Sequence, residues 1–377
     1  MSKRQSRRLW PLLVLLVTTV LAGLWWSRDL RAISKAALFI PQVLPDAPVR
    51  PLEWRTARPT RDSVRFATPT GEGVADLYRP GTRGPFPAIV LFLGVAPAGP
   101  DDPRVVGLGE ALARSGFVTL LYWSPTMQDQ RIVPEDVHSL VSAFEYLAAR
   151  RDVDRERVGF AGFCVGASFA LIAAAQPAIA DRVAFVNAFG PYFSLRDLGQ
   201  AIASHTAFDE LTERPWSVDP LASSVFHRLL LESVTDEDVR EQISGALERN
   251  DDEPIGLDAP ASAVFRLLRG LPRNEAEKEL QRLPVSLLEQ MELVSPRGYV
   301  TKLRAPLLLM HGVSDQLVPV EESRRLAAAM SQRSQLRYTE FALFEHMDPT
   351  KPLDLLTYAG ELWKLASHLA AIMRVAE

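Results

Sequence analysis

Short apolar runs alternate with helix-period stretches along most of this chain. Gly73–Pro80 reads as a strand, and Pro87–Gly94 as another, apolar on both faces and so buried on both. Asp101–Ser115 reads as a helix, Phe117–Trp123 as a strand, and Pro134–Arg150 as a helix with apolar positions at helical spacing. Arg157–Ala161 is strand-like and runs into the small-residue helix Ala167–Ala175, after which Arg182–Ala188 is a further strand. From Gly190 to Pro296 the strand pattern stops. That stretch reads as short helices broken by Pro and Gly, with Asn274-Glu275-Ala276-Glu277 as a capping box. The alternation then resumes with strand Ala305–Gly312, helix Val320–Met330 and strand Leu336–Phe341. The pattern predicts an α/β domain over 61–377 with a mostly parallel sheet and a helical insertion at about 191–296. Apolar residues of the insertion, such as Val225, Phe226, Leu229 and Leu230, must pack on the core or on a substrate.

The first 60 residues are different. Leu9–Trp26 is an uncharged, mostly apolar run behind Lys3, Arg4, Arg7 and Arg8, with Trp10, Trp25 and Trp26 at its ends. Its 18 residues are near the lower limit for a spanning helix, and its aromatics stand where interfacial ones belong. The expectation is an uncleaved single-pass anchor in 1–35, with the catalytic body outside the inner membrane. The alternative is a cleaved signal peptide with Val20-Leu21-Ala22 as its site, leaving a secreted or periplasmic body. Pro41, Pro45, Pro48, Pro51 and Pro59 mark 36–60 as a linker. Formal net charge is −4 overall, yet the first 35 residues carry +6, leaving −10 on the rest. An acidic body argues against nucleic acid as a partner. A single cysteine rules out an intramolecular disulfide. No H-E-x-x-H, C-x-x-C, G-x-G-x-x-G or Walker A pattern occurs, so neither a metal nor a nucleotide cofactor is expected.

That cysteine stands in Gly162-Phe163-Cys164-Val165-Gly166, between a strand and a helix. This is the context of a nucleophile elbow, where a tight turn lifts one side chain above the sheet and glycines allow the backbones to approach. The helix N-terminus there favours a thiolate. The plain alternative is close helix–sheet packing around a small buried cysteine. Asp315 follows strand Ala305–Gly312, and His346 follows strand Leu336–Phe341. The order nucleophile, acid, histidine is that of an α/β-hydrolase triad. His311 reads as structural, and His138, His205, His227 and His368 as helix-face or insertion residues.

On these motifs the chain resembles the α/β-hydrolases, and its cysteine elbow is similar to that of the dienelactone hydrolase family. The resemblance covers roughly 60–190 and 296–375. It implies an α/β-hydrolase fold with a helical cap, Cys164 as nucleophile, Asp315 as acid and His346 as base. It implies an oxyanion hole from the backbone N–H groups of Val165 and Val95, with Gly94 the next candidate for the second donor. The elbow also resembles that of the polyhydroxyalkanoate synthases, which are acyltransferases. Position 167 is Ala where both families usually carry glycine, and Phe344–Asp348 departs from the synthase Gly-His-Ile pattern. No acid lies between Leu91 and Pro100, so the resemblance does not extend to carboxylate gating of the resting thiol. The implied activity is cleavage of a small-molecule ester, lactone or thioester through an acyl-thioester, without cofactor. The alternatives are acyl transfer to an alcohol or thiol, and a non-catalytic binding protein. Oligomeric state stays open.

Overall fold

The structure is a computed structural model that describes residues 27–44, 47–95, 99–331, 335–344 and 354–377. Its sheet has eight strands: β1 (Thr60–Thr68), β2 (Gly71–Arg79), β3 (Phe86–Phe92), β4 (Val118–Trp123), β5 (Val153–Phe163), β6 (Val186–Phe189), β9 (Leu307–Gly312) and β10 (Leu336–Phe341). Their order is β1-β2-β4-β3-β5-β6-β9-β10. β2 runs antiparallel to both neighbours and the remaining pairs are parallel. A short hairpin of β7 (Thr206–Phe208) and β8 (Glu213–Pro215) lies apart, within the insertion. The α/β class with a mostly parallel sheet is therefore observed. The hairpin corrects the purely helical reading of 191–296.

Helices cover both faces. On one lie α5 (Glu135–Ala148) and α6 (Val165–Ala174), packed on inward residues such as Val90, Phe92 and Phe160. On the other lie α1 (Arg28–Val43), α3 (Pro103–Arg114) and α14 (Leu355–Met373), packed on Ile89, Leu91 and Ala161. Alternate residues of β3 thus serve the two layers, which is why this strand reads as an unbroken apolar run. The remaining short helices before the insertion are α2 (Pro51–Arg55) and α4 (Pro125–Gln128). The insertion holds α7 (Leu195–Ser204), α8 (Pro220–Glu232), α9 (Glu237–Arg249), α10 (Ala259–Arg269), α11 (Arg273–Leu280) and α12 (Val285–Leu293), and α13 (Val320–Ala329) follows β9. Asp102 and Asp219 cap α3 and α8 through their carboxylates, each with Pro in the first turn. The expected capping box does not form: Asn274 lies inside α11, whose N-cap is Pro272 with no side-chain bond.

Two further expectations need correction. Residues 36–60 are not a continuous tether, because they hold the second half of α1, all of α2 and the first residue of β1. α1 buries Ala32, Ala36, Phe39 and Ile40. Small residues at helical spacing let it lie close along α14, where Arg31 and Lys35 meet Glu377 and Arg374 meets Asp29. Ion pairs at that end and the contact of Ile40 with Leu365 at the other make the two helices antiparallel. The apolar run Leu9–Trp26 lies outside the described residues. Among the described residues no helix is long and apolar enough to cross a membrane.

Candidate active site

Four parallel strands end level with one another: Phe92 pairs with Gly162, Phe163 with Phe189, and Phe189 with Met310. The turns beyond them meet over the sheet. Cys164 stands at the apex, as N-cap of α6, with φ 51° and ψ −127°. That conformation is strained for any residue bearing a Cβ. Its neighbours explain why the chain tolerates it. A Cβ on Gly162 would lie 2.6 Å from Gly166 O, and one on Gly166 would lie 2.3 Å from Phe92 O. The strand, the helix and the end of β3 are in backbone contact, and only this turn geometry joins them. Gly94 (φ +73°) abuts Gly166 from the third side.

Cys164 N donates to Phe189 O at 2.8 Å, and its thiol lines a cavity of about 460 Å³ together with Val165 and Val95. Both residues expected to supply oxyanion donors therefore line the same cavity as Cys164. Gly94 does not line it.

Asp315 sits in the turn after β9 and is buried. Its Oδ1 accepts from Leu317 N at 2.8 Å and Val318 N at 3.0 Å. Its Oδ2 lies 3.5 Å from His311 Nε2, and a Cβ on Gly190 would approach it to 3.3 Å. His311 is buried and structural, as read: Nδ1 lies 2.7 Å from Ser323 Oγ and Nε2 2.9 Å from Val318 O. It holds the acid-bearing turn onto α13. His346 lies outside the described residues; Phe344, two positions before it, lines the cavity with Cys164.

Burial pushes the Cys164 thiol up to about 12, and the Asp315 and Asp219 carboxylates add to this, while the Val165 N–H opposes it. The expected preference for a thiolate is thus corrected. The helix N-terminus acts in the expected direction, but desolvation by apolar walls and two negative charges outweigh it. A thiol in this setting needs a base at the moment it attacks.

Several residues escaped sequence reasoning. Trp216 Nε1 donates to Asp315 O at 2.8 Å, and Asp219 N to Gln316 O at 2.9 Å, so the insertion grips the acid turn from above. Arg214 pairs with buried Glu321 of α13 at 2.8 Å and fixes the same segment. On the sheet, Asn187 lines the cavity, and its Oδ1 lies 3.3 Å from His368 Nε2, whose Nδ1 lies 3.0 Å from Thr339 Oγ1. His368 lies on a helix, as read, and is fully buried, and burial lowers it to about 3. Only the apolar positions around these residues could have signalled them. Among the described residues no cluster of His, Cys, Asp and Glu has the makings of a metal site.

Comparison with known proteins finds partial likenesses. A model of the dienelactone hydrolase family matches residues 124–208, which include Cys164, and a model described as BD-FAE matches 269–330, which include Asp315. Over 124–208 the chain is similar to the dienelactone hydrolase family, and its sheet and helices fit the α/β-hydrolase fold. A curated relative from Bradyrhizobium sp., named "Probable 2-oxo-3-(5-oxofuran-2-ylidene)propanoate lactonase", is 32% identical over 142 residues. That match covers 33% of this chain and 55% of the relative, so it spans about half of the relative's length. Among solved structures, 2,6-dihydroxy-pseudo-oxynicotine hydrolase aligns with TM-score 0.50 and 15% identity over 84% of this chain and 68% of its own. An acylaminoacyl peptidase of Pyrococcus horikoshii aligns with TM-score 0.48 and 15% identity, over 84% and 41%. The first of these is a likeness of fold. The cysteine elbow stands within the dienelactone hydrolase match, whereas position 346 lies outside both matches.

Proposed function

We propose that this chain hydrolyses an ester, lactone or thioester through an acyl-thioester on Cys164. The observation that carries the reading is the strained backbone of Cys164 at the apex of an elbow, facing a cavity. Strain of this kind persists where the surrounding structure over-determines it, and it gathers at active sites. The lactonase name of the curated relative supports the bond type.

In the proposed reaction His346 takes the thiol proton as Sγ attacks the carbonyl carbon. The N–H groups of Val165 and Val95 receive the developing oxyanion. Asp315 orients the imidazole and stabilises its charge. The tetrahedral intermediate collapses with loss of the alcohol, thiol or ring oxygen, which leaves with the proton from His346. Water, deprotonated by the same imidazole, then cleaves the thioester and frees the acid and Cys164. The raised thiol makes proton removal part of the attack rather than a prior step. We further propose that Leu9–Trp26 anchors the chain in a bilayer with the catalytic body outside.

The test is turnover of p-nitrophenyl esters and small lactones by the full chain and by Cys164→Ala, with intact mass of the protein during turnover. Turnover lost in the variant and an acyl mass on the wild type are the expected results. Turnover that survives Cys164→Ala would overturn the assignment. Diversion of the acyl group to added alcohols would move the function to acyl transfer.

A further inference from the structure

The cavity in front of Cys164 has walls from both sides of the sheet. One arm lies under the insertion, between Leu198, Ile202, Val225 and Phe226. The other runs over the face covered by α1, between Phe39 and Val43 of α1, Leu369 and Ile372 of α14, and Ile89 and Ala161 of the sheet. The second arm has a rigid floor and helical sides, and α1 is its roof. Among the described lining residues Arg104 is the one cation, and Asp102 holds its guanidinium at 3.1 and 2.9 Å. Asn187 is the one uncharged polar side chain besides Cys164, and its carbonyl oxygen faces His368. Among the described residues the charges that bear on the sulfur are the carboxylates of Asp315 and Asp219. An anionic acyl group would meet repulsion there and no unpaired cation in the wall. A neutral chain would meet apolar surface throughout.

We propose that the arm roofed by α1 is the acyl site and that its occupant is an uncharged aliphatic chain of roughly eight to twelve carbons. This rests on Cys164 being the nucleophile of an acyl-transfer reaction. The volume of about 460 Å³ holds on the order of fifteen water-sized groups at about 30 Å³ each. A chain of that length fills one arm and leaves the other for the departing alcohol, thiol or ring oxygen. The insertion arm, walled by α7 and α8, is left for the leaving group.

Two measurements on the full chain in detergent test this. The first is kcat/KM for p-nitrophenyl esters from acetyl to palmitoyl. Each methylene buried from water is worth about threefold to fourfold. Eight methylenes separate acetyl from decanoyl, so burial of only half of them already gives a rise of about a hundredfold, with decline beyond dodecanoyl. The second does not need turnover. Cys164 is the only cysteine, so its alkylation by iodoacetamide is read directly by mass. Octanamide and decanamide should protect it, and acetamide should not. Val43→Trp on the roof, or Leu369→Trp on the side wall should one variant fail to fold, should lower the decanoyl-to-acetyl ratio at least tenfold and abolish the protection. A flat or falling chain-length profile with good acetyl turnover would overturn the acyl site and leave the hydrolase reading standing. A ratio unmoved by both variants would overturn it too. No turnover of any ester would sink the hydrolase reading, while protection by octanamide over acetamide would still decide whether the arm takes a chain.

Discussion

Replacing Cys164 by glycine should make the protein more stable than replacing it by alanine. Alanine keeps the Cβ and therefore keeps the strain of φ 51°, ψ −127°, which costs on the order of 1–3 kcal/mol. Glycine removes that strain. It also frees the unfolded chain, which costs about 0.5–1 kcal/mol, and an N-cap accepts glycine with little loss. The net expectation is that Cys164→Gly exceeds Cys164→Ala by about 1–2 kcal/mol. For a chain of this length that is roughly 2–4 °C in melting temperature, since each kcal/mol moves a large domain by about 2 °C. Wild type and Cys164→Ala share the same backbone and should melt close together. Both variants lack the thiol, so both should be inactive. The assay is calorimetric or fluorescence melting of the three proteins side by side. At an ordinary N-cap glycine and alanine differ through capping alone, so the clean control is Ala175→Gly at the other end of α6, where glycine should lower stability. A Cys164→Gly protein that melts at or below Cys164→Ala would refute the claim that the elbow stores strain for its nucleophile.

Other outcomes follow from the same geometry. Gly166→Ala puts a Cβ 2.3 Å from Phe92 O and 2.5 Å from Gly94 N; the turn must open, at about 3 kcal/mol or more, and chemical denaturation would measure the loss. Trp216→Phe removes the bond to Asp315 O and should cost about 1–2 kcal/mol; if it positions the acid turn, kcat should fall about tenfold with KM little changed. Alkylation of Cys164 should climb about tenfold per pH unit from 7 to 10, because burial holds the thiol near 12; a plateau below pH 8 would mean a preformed imidazolium–thiolate pair. His368 is lowered to about 3 in the fold, against about 6.5 unfolded. Its contribution is complete above pH 6.5 and is lost as pH falls towards 3, by at most about 1.4 kcal/mol per unit. Melting of His368→Gln should decline less steeply than wild type between pH 6.5 and 4, and parallel curves would remove His368 from the acid response.

The features legible in the sequence are those whose causes are local. β3 and β4 are buried on both faces and read as continuous apolar runs. The elbow announces itself through two glycines: a Cβ on Gly162 would clash with Gly166 and Ala167, four and five positions on, whereas one on Gly166 would clash with Phe92 and Gly94 of a distant strand end. Asp315 was found because it directly follows a buried strand. β1 was missed: it is an edge strand with a single buried residue, Phe66, and charged residues on both faces. α1 was read partly as anchor and partly as linker, because Pro41 within it suggests a break. Its helix is held from outside, by α14 and the terminal Glu377. The Asn187–His368 contact joins residues 181 positions apart, which no local pattern encodes.

The ionisation of Cys164 shows where that division falls. Its position at a helix N-terminus is a local fact, and it correctly gives the sign of one contribution, the Val165 N–H. Desolvation comes instead from the cavity walls, which are assembled from α1, the insertion and α14. The second carboxylate, Asp219, arrives only because the insertion folds back so that its backbone binds Gln316 of the acid turn. The same distant segments that make the site apolar enough for an uncharged acyl chain therefore keep its sulfur protonated at rest. A low-dielectric cavity cannot bind an aliphatic chain against the sulfur and also hold an unpaired thiolate there. On the proposed reaction, concerted deprotonation by His346 would reconcile the two, and the rate of acylation, rather than resting thiol reactivity, would be the quantity in which chain length and pH appear together.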